Sequence, residues 1–131
     1  VGTGGARMLR LTARFAEEWN TWGTPEVAGE VIQKLRIACE KEGRDPATVR
    51  TSVQPLFFLC ASDEAVEKLR PLVPADRSVL GTTAQIVDAV GQYKELGFDE
   101  ICVPDFTLGN SPSERLDSYA TFWNEVAVHF R

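Results

Sequence analysis

The sequence predicts an α/β protein with a mostly parallel sheet and right-handed crossovers. Helix-like and strand-like stretches alternate along the chain, the pattern of a parallel sheet whose strands are joined by helices. The boundaries between them are marked by residues that start or stop helices: Thr24-Pro25, Ser62, Thr82, Gly97 and Ser111-Pro112. No linker, low-complexity tract or compositional break divides the 131 residues, so the alternation is assigned to a single domain over 1–131.

In chain order, Val1-Gly2-Thr3-Gly4-Gly5 reads as the end of a buried strand running into a glycine turn. The chain begins inside this element without an initiator methionine. From Ala6 to about Phe15 a helix is predicted, with Met8, Leu11 and Phe15 at helical spacing. A short strand follows near Glu18–Asn20, with Trp19 turned inward. Thr24 caps the next helix and Pro25 takes its first position, while Val27, Val31, Leu35 and Ala38 form its apolar face and Gly43 stops it. Asp45-Pro46 opens a single turn before a long strand from about Val49 to Cys60.

Ser62 starts a further helix with Ala65, Leu69 and Leu72 on one side, and the Pro71–Arg77 region reads as a loop. Thr82 and Gln85 make a capping box ahead of an apolar stripe of Ile86, Val90, Tyr93 and Leu96. Gly97 is placed for a left-handed helix stop, with Phe98 packing back on the helix. Glu100-Ile101-Cys102-Val103 is a short strand ended by Pro104. The last helix has the fullest set of signals. Ser111-Pro112-Ser113-Glu114 combines N-cap, first-turn proline and capping-box glutamate, followed by Leu116, Tyr119, Ala120, Trp123, Val126 and Phe130 as an apolar face.

Composition narrows the function classes. The net charge is −5 with acidic residues dispersed, so no basic tract points to nucleic acid or an anionic membrane surface. No apolar run is long enough to span a bilayer, and no signal-peptide pattern is present. Cys39, Cys60 and Cys102 are odd in number and lie in apolar surroundings, which reads as reduced core cysteines of a cytoplasmic protein. The only histidine, His129, sits in the final helix. No metal site and no Ser-His-Asp or Cys-His arrangement is therefore predicted, and no catalytic residue is assigned.

The ordered set of motifs resembles the luciferase-like monooxygenase superfamily, flavin- and deazaflavin-dependent oxidoreductases on a TIM barrel. The resemblance rests on Val1-Gly2-Thr3-Gly4-Gly5-Ala6-Arg7, Leu9, Ala13 and Ala16-Glu17-Glu18-Trp19-Asn20. It extends through Gly43-Arg44-Asp45-Pro46, Gly81-Thr82 and Leu96-Gly97-Phe98-Asp99-Glu100 to Val103-Pro104-Asp105. It implies parallel strand–helix units forming the C-terminal half of a TIM (β/α)8 barrel, since a full barrel needs about 250 residues. Four strands are expected: one ending at Gly2 and others near Trp19, Val53 and Ile101.

Ligands in such barrels sit at the C-terminal ends of the strands. The resemblance places the phosphate of FMN or of a deazaflavin coenzyme (coenzyme F-420 type) on the glycine loop. Thr3, Gly4, Gly5 and Ala6 would hold it through backbone N–H groups, Thr3 could add a hydroxyl, and Arg7 could add charge. Asn20, at a strand end, is a further coenzyme-contact candidate. Trp22 either lines a pocket or covers the rim, and Asp105 is read as a loop cap rather than a base. In intact relatives the coenzyme supports hydride transfer or flavin-dependent oxygenation of a small-molecule substrate, with reaction-centre groups mainly on earlier strands that this sequence lacks. The alternative is a non-catalytic half-barrel. Its unpaired sheet edges and exposed apolar inner face would favour a homo-oligomer.

Overall fold

The computed structural model describes residues 4–131. The expected strand ending at Gly2, and Thr3, lie outside the described residues. In chain order the elements are α1 (Ala6–Phe15), β1 (Glu18–Thr21), α2 (Pro25–Lys41), a 3-10 turn (Pro46–Thr48), β2 (Arg50–Val53), β3 (Leu56–Leu59) and α3 (Asp63–Leu69). A 3-10 turn (Arg70–Leu72), β4 (Ser78–Gly81), α4 (Thr83–Leu96), β5 (Glu100–Ile101) and α5 (Pro112–Thr121) follow. The last helix continues through a π-helical turn (Phe122–Val126) into a 3-10 turn (Ala127–Phe130).

Among the described residues all strand pairs are parallel: β1-β2-β5 form one sheet and β3-β4 a second. The parallel α/β prediction holds. The strand expected from Val49 to Cys60 is instead two strands, divided at Pro55. Proline has no N–H to donate, so a ladder cannot run through it unbroken. On one side Gln54 N–H donates to the Thr21 carbonyl of β1 at 2.9 Å. On the other, Leu56 N–H donates to the Arg77 carbonyl at 2.8 Å. The chain changes neighbour at the proline, and the new neighbour, β4, was not read from the sequence. Its four residues, Ser78-Val79-Leu80-Gly81, are too few to show a strand period.

Side chains alternate across β1 and β2. Trp19, Thr21, Thr51 and Val53 are buried toward the helices. There they join Leu9 and Ala13 of α1, Ile32, Leu35 and Cys39 of α2, Ile86, Val90 and Tyr93 of α4, and Val126 in a single core cluster. Trp19 is 1% exposed, and burial of a large apolar side chain contributes about 1.5–3 kcal/mol. Tyr93 is fully buried. Its hydroxyl donates to the Gly23 carbonyl at 2.6 Å, fixing the turn that enters α2.

Three helix faces differ from expectation. In α1 the buried row is Leu9, Thr12 and Ala13, whereas Phe15 is 76% exposed; a threonine in the inward row concealed it. In α2 the buried row is Ala28, Gly29, Ile32, Leu35 and Cys39, about one residue round from the expected Val27, Val31, Leu35 and Ala38. Small residues bring α2 onto α4: a Cβ on Gly29 would lie 3.1 Å from Leu96 Cδ2. In α3 only Val66 is buried, and Leu72 just beyond it is exposed.

The prediction for the last helix fails most clearly. No residue of α5 is buried, and Leu116, Tyr119 and Trp123 are exposed. Only Val126, in the π-helical turn, reaches the core fully, with Phe122 and Phe130 partly buried against it. The change of winding turns the row that follows inward, and leaves the earlier apolar row uncovered among the described residues. The stripe in α4, by contrast, is as expected: Ile86, Val90 and Tyr93 are buried. Gly97 is left-handed (φ 93°), and the Phe98 ring meets Tyr93 edge-on at 6.1 Å.

Candidate functional site

The glycine loop opens α1. Gly5 is its N-cap, extended at φ −69° and ψ 140°, so neither a left-handed turn nor backbone strain explains the glycine. What it provides is space: a Cβ on Gly5 would meet nothing within 4 Å. Gly4 instead leans on α2, where its Cβ would come 3.1 Å from Val31 Cγ1. The first intrahelical bond runs from Leu9 N–H to the Gly5 carbonyl at 2.9 Å. The amides of Ala6, Arg7 and Met8 precede it, and among the described residues no side chain caps them. The first turn also carries no acidic residue, and Gly4, Gly5, Ala6 and Arg7 are all exposed. Such an end presents bare N–H groups and the positive pole of the helix dipole. A cation at Arg7 opposes that dipole unless an anion lies between them.

Asn20 is the third residue of β1. It lies on the face of the sheet away from the helices, and its Nδ2 donates to Ser52 Oγ at 2.8 Å. On the β1-β2-β5 sheet this face is polar, whereas Leu56, Phe58 and Leu80 lie on one face of β3-β4. Glu18 and Asn20 of β1, Arg50 and Ser52 of β2, and Glu100 of β5 occupy that side. Arg50 pairs with Glu100 at 2.7 Å, and the Cys102 thiol lies 3.8 Å from a Glu100 oxygen. The polar residues of β1 and β2 fall at alternate positions, which places them together on one face of the sheet.

The remaining candidates resolve into structural roles. Trp22 is half-exposed, with the Arg77 guanidinium 4.3 Å from its ring centroid. Asp105 pairs with Arg115 at 3.6 Å, and its carbonyl accepts from Leu108 N–H. The turn at Asn110, expected to be capped by Asp105, is capped by Glu114, whose Oε2 accepts from Asn110 N–H at 2.6 Å. The three cysteines are free. Burial pushes the Cys39 thiol up from its ordinary value, against the opposing effect of Arg44. Cys102 is raised likewise by burial and then by Glu100, so neither is poised as a thiolate. No metal-holding group of His, Cys, Asp or Glu exists among the described residues.

One feature escaped the sequence reading. A groove of about 740 Å³ runs between α1 and α2, starting at Gly4 and Ala6. Leu9 and Ala38 form its floor and Ile37 a wall, and Arg7, Arg10, Lys34 and Lys41 surround it. Its one carboxylate, Glu42, is already held by Arg14 at 2.7 Å. The sequence signal was present in the spacing of Arg7 with Arg10 and of Lys34 with Lys41, each pair on one helical face. Only the packing of α1 on α2 shows that the two faces meet.

No family model matches the chain, and no curated protein matches it. Solved structures do. The coenzyme F420 dependent tetrahydromethanopterin reductase from Methanopyrus kandleri superposes with a TM-score of 0.75 at 14% identity, covering 99% of this chain and 50% of that one. DmoA from Hyphomicrobium sulfonivorans gives 0.66 at 15% identity, over 99% and 40% of the two chains. The long-chain alkane monooxygenase LadA gives 0.65 at 15% identity, over 96% and 39%. The chain shares the α/β fold of these structures over nearly its whole length. It spans half or less of the length of these structures. A reductase dependent on coenzyme F420 and a monooxygenase stand among them, so the neighbours define a broad oxidoreductase class.

Proposed function

We propose that this chain is the C-terminal part of a luciferase-like oxidoreductase and that it holds the phosphate of a flavin or deazaflavin coenzyme. The carrying observation is the start of α1, where, among the described residues, no side chain caps the first amides, no first-turn carboxylate is present, and nothing lies within 4 Å of a Cβ on Gly5. The other four α-helices have a side-chain acceptor at their start: Thr24 for α2, Ser62 for α3, Gln85 for α4 and Ser111 for α5. A dianionic phosphate fits that unsatisfied end. Gly4, Gly5 and Ala6 would bring backbone N–H groups to it, Thr3 a hydroxyl, and Arg7 a guanidinium. Asn20, on the inner sheet face beside Ser52, would contact the coenzyme beyond its phosphate. When bound, the coenzyme supplies hydride transfer or flavin-dependent oxygenation of a small-molecule substrate. The residues described here hold and orient it, and no proton transfer is assigned to them.

Titration with FMN and with the deazaflavin, read by absorbance and fluorescence, tests this. Saturable binding of either one supports the proposal, and no binding of either at millimolar concentration rejects it. A second reading, a self-associating half-barrel without coenzyme, is favoured by a separate observation: Phe15 on α1, Leu116 and Tyr119 on α5, and Trp123 in the π-helical turn after it are exposed large side chains. No helix among the described residues is long and apolar enough to cross a membrane, so these side chains are not part of a bilayer-spanning helix.

A further inference from the structure

A pocket of about 390 Å³ lies between the end of α4, β5 and the turns that finish the last helix. That volume is within the range of small-molecule sites. The pocket sits where the last helix changes winding. The π-helical turn Phe122–Val126 and the 3-10 turn Ala127–Phe130 supply Phe122, Val126 and Phe130 to one side of it, and single π-turns of this kind often mark functional positions. Ala127 has the smallest side chain in the lining and leaves the space open.

The walls are apolar and held in place from outside the pocket. The Phe122 ring meets Phe57 edge-on at 5.2 Å, and the Phe98 ring meets Tyr93 edge-on at 6.1 Å. Val126 is fully buried. A ligand tail entering there meets rings that are already ordered, which lowers the entropy cost of binding.

The rim is charged, and its charges are not equally free. Asp99 accepts from Thr51 N–H at 2.7 Å, and Glu100 pairs with Arg50 at 2.7 Å. Lys94 and Arg131 also line the pocket, and neither forms an ion pair among the described residues. Lys94 Nζ stands 6.0 Å from the Phe130 ring centroid, and the Arg131 guanidinium stands 4.7 Å from that of Trp123. A ring attracts a cation but leaves most of its N–H donors available to an acceptor.

We propose that this pocket is a second ligand site, for a small carboxylic acid with an aromatic tail. The tail lies between Phe98, Phe122 and Phe130, and the carboxylate meets Lys94 and Arg131. The site is separate from the proposed coenzyme site. In a parallel array joined by helices, helices start at one end of the sheet and finish at the other. The pocket lies where α4 finishes and β5 starts, whereas the phosphate is proposed at the start of α1.

The experiment uses 3-phenylpropionate, 3-phenylpropanol and 3-phenylpropylamine, which carry one tail with three different end charges. Calorimetry and amide chemical shifts of the 131-residue protein follow each. The acid is expected to saturate at millimolar concentration, to shift amides at 94–101 and 122–131, and to bind more tightly than the alcohol, with the amine weakest. Exposed Lys94→Gln is expected to weaken the acid by about three- to fivefold and leave the alcohol unchanged. Ala127→Phe fills the space and is expected to abolish binding of both, with its melting curve reporting that the fold is retained. Equal affinity for acid, alcohol and amine, or an unchanged acid affinity in Lys94→Gln, overturns the proposal. Acid binding that survives in folded Ala127→Phe overturns it too. FMN affinity is expected to be the same in both variants and the parent. Absence of FMN binding, with the acid still sensitive to Lys94, overturns the coenzyme site and not this one.

Discussion

The starts of α1 and α5 are built in opposite ways. At α5, Ser111 Oγ accepts from Glu114 N–H at 3.2 Å, and Glu114 Oε2 returns to the N–H groups of Asn110 and Ser111. Pro112 removes one further donor. The helix start is complete in itself and leaves little for a ligand to bind. At α1, Gly5 has no side chain to offer, and the first turn holds Arg7 and no acidic residue, whereas that of α5 holds Glu114. The difference teaches where each end spends its hydrogen-bonding capacity: α5 on its own fold, whereas the first amides of α1 have no side-chain partner among the described residues. The apolar faces show the converse. Leu9 and Ala13 of α1 reach the core, while Leu116 of α5 and Trp123 in the turn after it do not.

Exchanging the two designs should give the largest effect. Gly5→Asp provides α1 with the cap it lacks and sets a carboxylate where the phosphate is proposed to sit. FMN or deazaflavin affinity should fall about tenfold or more, while thermal stability stays level or rises, which a melting curve run beside the titration would show. Unchanged coenzyme affinity would break the contrast between the two helix starts.

The scaffold behind the α1–α2 side can be tested through Tyr93. Tyr93→Phe removes the bond to the Gly23 carbonyl and should cost about 1–2 kcal/mol at neutral pH by urea unfolding. Burial, and then Glu26, push the Tyr93 hydroxyl well above its ordinary value. The sign follows from linkage: the folded state favours the neutral phenol. That preference contributes fully below the unfolded value near pH 10 and is lost as pH rises from there toward the folded value. The parent should therefore lose stability on that climb more steeply than Tyr93→Phe. Parallel curves for the two proteins would contradict the burial of this hydroxyl.

Removing the α5 cap is a smaller perturbation. Ser111→Ala should destabilise by about 1 kcal/mol and leave coenzyme affinity unchanged, checked by denaturant midpoint and the same titration. The smallest effect on folding belongs to Leu116→Ser with Trp123→Ser. Because both side chains are exposed, monomer stability should change by about 0.5 kcal/mol or less. If α5 carries a self-association surface, sedimentation should show that the pair shifts the protein toward monomer. An identical distribution would remove α5 from that role.

Local signals in the sequence were legible where they are self-contained. Thr24-Pro25, Ser62, the Asp45-Pro46 turn, the Gly97 stop and the Ser111–Glu114 box all stand as read, because each is decided within four or five residues. Facing was less legible. Thr12 in α1 and Gly29 in α2 belong to buried rows that an apolar count passes over, and which row turns inward depends on the neighbour it meets. The split at Pro55 and the pairing of β3 with β4 depend on a partner 22 residues away. The glycine loop was legible as an opening, whereas the cationic groove beside it exists only where two helices touch.

The central claim, that the start of α1 holds a coenzyme phosphate, is tested most directly by amide chemical shifts during a titration with FMN, using inorganic phosphate as the minimal probe. The account predicts saturating shifts concentrated at Gly4, Gly5, Ala6, Arg7 and Met8, abolished in Gly5→Asp, with the amides of Ser111–Glu114 unmoved. Shifts absent from Gly4–Met8 at saturation, or equal at the two helix starts, would contradict it.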